Sequence, residues 1–342
     1  MTLKEVATAA GVSPSTVSRV INSAGNNFAS KEVRQRVWKA VRDLGYVPNA
    51  QARELKQGTN NKTSTLLIHI LFARAQSGLG DSYFDELASF VQEEILSQGA
   101  MVGRLYAREE AIEIMNHGKF TTEKNEGLVV LGRTKKTLLP FIANFHRRVV
   151  YITLNQMAFA ADHVMCDGYQ ATQTAMQYLY HQGHRHIAYV GEYPQEIRYQ
   201  SFWHFVTQNT LTYSRETIIN TPMTAEGGYT AALKLVQCKL FPTAVFCAND
   251  VTAIGLLKGL KQKGIEVPKA LSVISIDDIA EAGDTSPRLT TVKIPVREMG
   301  SIAVKTLTDR LRKGHSIDMN VFMPSELLVR ESVATRNGQS PR

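Results

Sequence analysis

Residues 2–22 read TLKEVATAAGVSPSTVSRVIN, and this stretch decides the architecture of the amino-terminal end. Thr2 followed by Glu5 is a capping box: the threonine hydroxyl accepts from the amide three residues on, and the glutamate reaches back. The helix it opens puts Leu3, Val6, Ala7 and Ala10 on one face and stops at Gly11. Ser13 then stands as an N-cap with Pro14 at the first helical position, the order a helix start prefers. A second helix, running to Asn22, buries Val17, Val20 and Ile21 and shows Ser15, Thr16, Ser18, Arg19 and Asn22 on its other side. Two short helices joined by a Gly-containing turn make a helix-turn-helix. The small polar start of the second helix suits entry into a major groove, where hydroxyls, Arg and Asn meet base edges. A third helix from Ser30 turns Val33, Val37, Ala40, Val41 and Leu44 inward, with Trp38 at its edge, and closes at Gly45.

Charge is concentrated in the same region. Residues 1–62 hold ten Lys/Arg against four acids, so +6 of the net +8 sits there, and the other 280 residues carry only +2. On charge alone this is either a polyanion-binding module or a solvated basic helix face; the helix-turn-helix pattern selects the first. The total of 342 residues allows two or three domains with a sizeable core. No apolar run reaches the roughly 18 residues of a membrane span. Cys166, Cys238 and Cys247 show no C-x-x-C spacing and read as reduced residues of a cytosolic protein. The opening residues carry no apolar signal core, which agrees with a cytoplasmic location.

Beyond residue 62 short apolar runs alternate with amphipathic ones. Strands are predicted at 65–72, 126–131, 149–154, 187–191, 244–248 and 273–276, with helices at 82–98, 169–182, 195–208, 227–239, 250–263 and 296–312. This alternation predicts two α/β lobes with parallel sheets, whose ligands sit outside the carboxyl ends of the strands. Asp250 and Asp277 both follow such strands, and each taken alone reads first as a helix or loop cap. His184 and His186 flank Arg185 at a helix-to-strand join and are not read as metal ligands. No phosphate loop, nucleophile elbow or zinc motif is present, so neither an enzyme, a metal nor a cofactor is expected.

Residues 2–22, followed by GYVPNAQARELKQG at 45–58, resemble the DNA-binding head and hinge of the lac repressor/galactose repressor family. The likeness continues through GLVVLG, LYHQGHRHIAYVGE, FPTAVFCANDVTAIGLLKGLKQKGIEVPKALSVISIDD, SPRLTTVKIPVREMG and ELLVRES, covering residues 2–332. It implies an all-α helix-turn-helix head at 1–46 and a hinge helix with linker at 47–62. It further implies a two-lobed, periplasmic-binding-protein-like α/β body at 63–332 for effector binding and dimerisation, then a polar tail at 333–342. The DNA-binding residues so implied are Thr2, Ser13, Pro14, Ser15, Thr16, Ser18, Arg19 and Asn22 in the head. In the hinge they are Asn49, Ala52, Leu55 and Lys56, with Leu55 the apolar wedge of the minor groove. Pro14, lacking an amide proton and a polar side chain, implies a steric reading of its base.

For the effector, the resemblance implies Tyr83, Phe84, Asn155, Arg198, Met223, Asn249, Asp250 and Asp277. Arg198 falls on the ligand-gripping arginine of an R-x-x-G-F pattern in which Ser201 here replaces Gly, a change expected to crowd the pocket. The function implied is a homodimeric repressor bound to double-stranded operator DNA, without a membrane partner. Its release would come from a neutral sugar between the lobes, a galactoside by likeness to the family's galactoside-operon repressors. The alternative is a catabolite-type regulator answering to a phosphorylated carrier protein or a non-sugar ligand.

Overall fold

The computed structural model describes residues 2–22, 29–44, 65–74, 82–118, 120–155 and 160–336. The hinge expected at 47–62, with Asn49, Ala52, Leu55 and Lys56, lies outside them.

The head is built from α1 (Leu3–Ala10), α2 (Pro14–Asn22) and α3 (Lys31–Asp43). Both halves of the capping box form: the Glu5 amide donates to Thr2 Oγ1 at 3.4 Å and the Thr2 amide to Glu5 Oε2 at 2.8 Å. Gly11 ends α1 at φ 64°, a left-handed conformation that glycine adopts without steric cost. Ser13 Oγ accepts the Thr16 amide at 3.1 Å, and Ser30 Oγ accepts the Val33 amide at 3.3 Å, so each of the later helices also starts on a serine. Val6, Ala10, Val17, Val20, Ile21, Val37 and Val41 fill the core. Trp38, expected at the edge, is only 2% exposed. With alanines and valines for its neighbours, a core this small is filled only by turning the indole inward.

From residue 67 the chain runs β1 (Leu67–Phe72), α4 (Ser82–Ser97), β2 (Met101–Ala107), α5 (Arg108–His117), β3 (Glu126–Leu131), α6 (Leu139–Ala143), β4 (Val149–Thr153) and β5 (Asp162–Cys166). It continues through α7 (Gly168–His181), β6 (Ile187–Gly191), α8 (Ile197–Gln208), β7 (Ile218–Asn220), α9 (Ala225–Leu235), β8 (Ala244–Cys247), α10 (Asp250–Gln262), β9 (Ser272–Asp277) and β10 (Thr290–Lys293). It closes with α11 (Val296–Leu311), β11 (Asn320–Met323) and β12 (Glu326–Leu328). Two six-stranded sheets result, ordered β11-β5-β4-β3-β1-β2 and β12-β10-β9-β8-β6-β7. Pairing is parallel from β2 through β1, β3 and β4 to β5, and from β7 through β6, β8 and β9 to β10, while β12 runs antiparallel to β10. The chain divides into two compact units: described residues of 1–80, 84–165 and 296–322 form the first, and those of 81–83, 166–295 and 323–342 the second.

Several elements were not foreseen. β2 carries an irregularity opposite Ile68–Ile70, where the Arg104 amide leaves the ladder and donates to His69 Nδ1 at 3.0 Å. A Cβ at Gly103 would stand 2.6 Å from that ring nitrogen, so the bulge and its glycine serve the buried histidine. β5 begins at Asp162, which is fully buried. The carboxyl-terminal stretch also departs from the expected polar tail. Ala334 donates to Ser272 Oγ at 3.0 Å, His184 Nε2 lies 3.1 Å from Ala334 O, and the Arg336 amide donates to Gln182 O at 2.7 Å. Residues 333–336 are therefore part of the second unit. Cys166 and Cys247 are buried, Cys238 is half-buried, and all three are free thiols.

Asp162 anchors the first unit. Arg310 grips it with two bonds of 2.6 Å, the Met319 amide adds one at 2.9 Å, and His315 Nε2 lies at 3.1 Å. Burial pushes the carboxyl pKa up, but the bonds from Arg310, Met319 and His315 reverse this and hold it below its ordinary value. Its contribution to stability is thus present above about pH 4 and is lost as the pH falls below that. An Arg310→Met variant is expected to lose about 3–5 kcal/mol in urea unfolding, because it leaves Asp162 buried and unpaired. Adding Asp162→Asn to that variant should restore most of the loss; an unchanged deficit would show that the arginine acts through packing instead.

Candidate DNA-reading face and ligand site

On the head, Ser13, Pro14, Ser15 and Arg19 are exposed, while Thr16 and Ser18 are half-buried. They share the side of α2 opposite Val17, Val20 and Ile21. Ser13 Oγ, besides capping the helix, lies 2.8 Å from Ser15 Oγ and 2.9 Å from Thr16 Oγ1. The three hydroxyls are therefore held in one cluster before any DNA arrives, which reduces the entropy lost on forming contacts. Pro14 stands exposed beside them as the apolar member, and Arg19 lies one turn further along. Asn22 closes α2. Thr2 is exposed at the start of α1, with its hydroxyl and amide engaged in the capping box. A helix amino terminus bearing small donors and one guanidinium can meet phosphates and base edges together.

The ligand candidates divide between the units. In the first, Phe84 packs over Gly132 at the carboxyl end of β3, where a Cβ would meet the ring at 2.9 Å; Gly132 has φ 87°. Asn155 follows β4, its amide donating to Thr153 Oγ1 at 3.0 Å. Both therefore stand at strand carboxyl ends, as a ligand of a parallel sheet requires. Tyr83, the neighbour of Phe84, is 8% exposed and belongs to the second unit.

In the second unit the carboxyl ends of β6, β8 and β9 gather Arg198, Asn249, Asp250 and Asp277. Arg198 is 3% exposed; its Nε donates to Glu196 Oε1 at 2.8 Å and its Nη1 to Ala248 O at 2.8 Å. Burial opposes its charge, yet Glu196 and Asp277 more than compensate and raise the guanidinium's proton affinity. Ser201, expected to crowd the pocket, is fully buried. Its hydroxyl donates to Tyr169 O at 2.8 Å and accepts from Gln173 Nε2 at 2.9 Å, so it ties α8 to α7.

Asn249 and Met223 form a brace: Asn249 Oδ1 accepts the Thr252 amide at 3.1 Å and Nδ2 donates to Met223 O at 3.4 Å. The cap of α10 is thus Asn249, and Asp250 is the first helical residue. Asp250, expected among the ligand contacts, is fully buried and its carboxylate is occupied from within. Oδ1 accepts from Ser275 Oγ at 2.5 Å and Thr291 Oγ1 at 2.6 Å, and Oδ2 accepts the Ile279 amide at 3.0 Å. Close approach of α9 positions it: a Cβ on Gly255 would fall 1.9 Å from Ala225 O.

Asp277 ends β9 with φ 133°, and Asp278 follows at φ 61°. Each such conformation costs a non-glycine residue of the order of 1–3 kcal/mol and is commonest where a site needs it. Asp278 is fastened by Arg330 at 2.5 Å. Sequence reading missed Glu196, Ser275 and Thr291. The first could have been noticed as an acid two residues before Arg198, the others as hydroxyls interrupting buried apolar strands. Among the described residues, no three His, Cys, Asp or Glu side chains gather where they could hold a metal ion, and no helix is long and apolar enough to cross a membrane.

Comparison with known proteins agrees with both halves. Residues 2–49 match the family described as bacterial regulatory proteins, lacI family, and residues 176–333 match a periplasmic binding protein-like domain. The chain is 33% identical to the HTH-type transcriptional repressor PurR of Histophilus somni (strain 129Pt), over 98% of this chain and 99% of that one. It is 28% identical to the HTH-type transcriptional repressor MelR of Bacillus subtilis (strain 168), over 96% of each. Its fold superposes on the lac repressor dimer bound to operator and the anti-inducer ONPF with a TM-score of 0.68, at 22% identity over 98% of this chain and 99% of that one. The chain belongs to the lacI family of bacterial regulatory proteins and is a DNA-binding transcriptional repressor.

Proposed function

We infer that this repressor governs a sugar-utilisation operon and leaves its operator when a neutral sugar, a galactoside in our reading, binds at the carboxyl ends of β6, β8 and β9. One observation carries the choice of a neutral ligand: Arg198 is already paired with the buried carboxylate of Glu196 at 2.8 Å. Its charge is balanced within the protein, and Asp277 adds a negative charge close enough to raise the arginine's proton affinity. A phosphorylated ligand would meet Asp277 beside an arginine whose charge is already balanced by Glu196. A neutral polyol can donate hydroxyl protons to Asp277 without bringing a further charge to the site. Two proteins of the same fold support a sugar, a CelR regulator solved with cellobiose (TM-score 0.67) and a regulator from Enterococcus faecium solved with ribose (TM-score 0.66).

In this reading the repressor acts as a cytoplasmic homodimer, with two heads in successive major grooves of a near-palindromic site. The sugar acts through unequal affinity for two states of the repressor, so operator and sugar weaken each other's binding by one common factor.

Two tests follow. Arg19→Ala should cost about 1–3 kcal/mol of operator affinity and relax one base position per half-site; a uniform loss across all sequences would reassign Arg19 to a phosphate. For the ligand, thermal unfolding against a panel of neutral sugars and sugar phosphates should show stabilisation by a neutral sugar alone, abolished by Asp277→Asn. Stabilisation by a sugar phosphate or a nucleobase would overturn the reading. Arg198→Ala is the poorer probe, since it strands buried Glu196 at about 3–5 kcal/mol.

A further inference from the structure

Asp277 and Asp278 form a pair of consecutive non-glycine residues with positive φ, 133° and 61°. Aspartate tolerates the left-handed region better than most residues, which helps at Asp278, but φ 133° at Asp277 needs support from groups on either side. Both sides are held by one carboxylate. Ser275 Oγ, two residues before Asp277, donates to Asp250 Oδ1 at 2.5 Å, and the Ile279 amide, directly after Asp278, donates to Oδ2 at 3.0 Å. Thr291 Oγ1, on the neighbouring strand, donates to Oδ1 at 2.6 Å. The carboxylate is itself fixed, because it projects from the first residue of α10, whose start is braced by the Asn249 cap and the Asn249–Met223 bond.

We propose that Asp250 is a positioning residue, whose carboxylate clamps the chain on both sides of Asp277–Asp278 and thereby sets the aim of Asp277 toward the ligand. The last clause rests on the reading of Asp277 as a ligand contact; the clamp itself does not. The charged and titratable groups facing this clamp are Asp278, with Arg330 bonded to it, Asp277, Arg198 and the Cys247 thiol. Burial raises the pKa of Asp250 to about 6 against the lowering by its three donors. The folded unit therefore favours the protonated carboxyl, whose stabilising contribution is complete below about pH 4 and lost as the pH rises through about 6. Protonation has a local cost, for it replaces a charge-assisted bond at Ile279 with a weaker neutral one. An acid that only stabilised the unit would have no such local signature.

Amide hydrogen exchange on the full chain tests the clamp. Asp250→Asn is expected to speed exchange of the Ile279 amide by roughly tenfold or more, with Leu256 and Leu260 in α10 and Val190 in β6 unchanged. Glycine holds a positive φ without strain, so in an Asp277→Gly, Asp278→Gly background the same substitution should have a smaller effect. If Asp250→Asn fails to fold, Thr291→Val removes one donor and should still speed Ile279 alone. Uniform acceleration across the unit, or none at Ile279, overturns the proposal. Calorimetry with methyl β-D-galactopyranoside separates this from the ligand reading. Weaker binding to Asp250→Asn and none to Asp277→Asn supports both. Absence of binding to the wild type removes the galactoside reading alone, and the exchange result still decides the clamp.

Discussion

A carboxylate taken out of water must be given donors, and in each unit of this repressor one fully buried aspartate makes that demand. The cost of leaving such a charge unsatisfied exceeds what any single apolar contact contributes. The elements around it are therefore obliged to meet. Asp162 draws the end of α11, the loop after it and the start of β5 to one point. Asp250 does the same for α10, β9, β10 and the turn that follows β9. In both cases the donors come from segments distant along the chain, so satisfaction of the charge is also a statement of tertiary order.

That distance explains what could be read from the sequence and what could not. The head was legible almost to the residue, because its determinants are local: Thr2 with Glu5, Ser13 with Thr16 and Gly11 act within a turn of the helix they bound. Strands such as Glu126–Leu131 and Ile187–Gly191 were equally plain, being short apolar runs buried on both faces. β2 and β5 were not. Gly103 and Arg104 break the pattern of β2 for the sake of His69, more than thirty residues away, and β5 opens on a charge that looks exposed until Arg310 is beside it. Trp38 and residues 333–336 share that cause, since their burial depends on partners that no local rule names.

The site shows the same division more sharply. Asp250 and Asp277 follow strands in the same way, and sequence treats them alike. The structure separates them by position in the fold. Asp250 has donors on both oxygens from its own unit, whereas Asp277 sits at a strained backbone position at the mouth of the parallel sheet. Ser201 shows how partners outside its own helix bear on such a reading. Counted against a glycine it looked like added bulk in a pocket, but its hydroxyl has two partners between α7 and α8 and the bulk is absorbed there.

These arrangements bear on how a repressor of this family can change ligand without changing fold. The groups that hold the second unit together, Glu196, Asp250, Ser275 and Thr291, are buried, Glu196 bonded to Arg198 and the two hydroxyls to Asp250. Altering any of them removes a hydrogen-bond partner or strands a charge. Residues at the strand ends, Asp277 among them, stand on that framework. Selection can therefore act on the second set while the first stays constant, provided that the charge balance of Arg198 with Glu196 is kept. The framework thus fixes the charge balance that any ligand at these strand ends would meet.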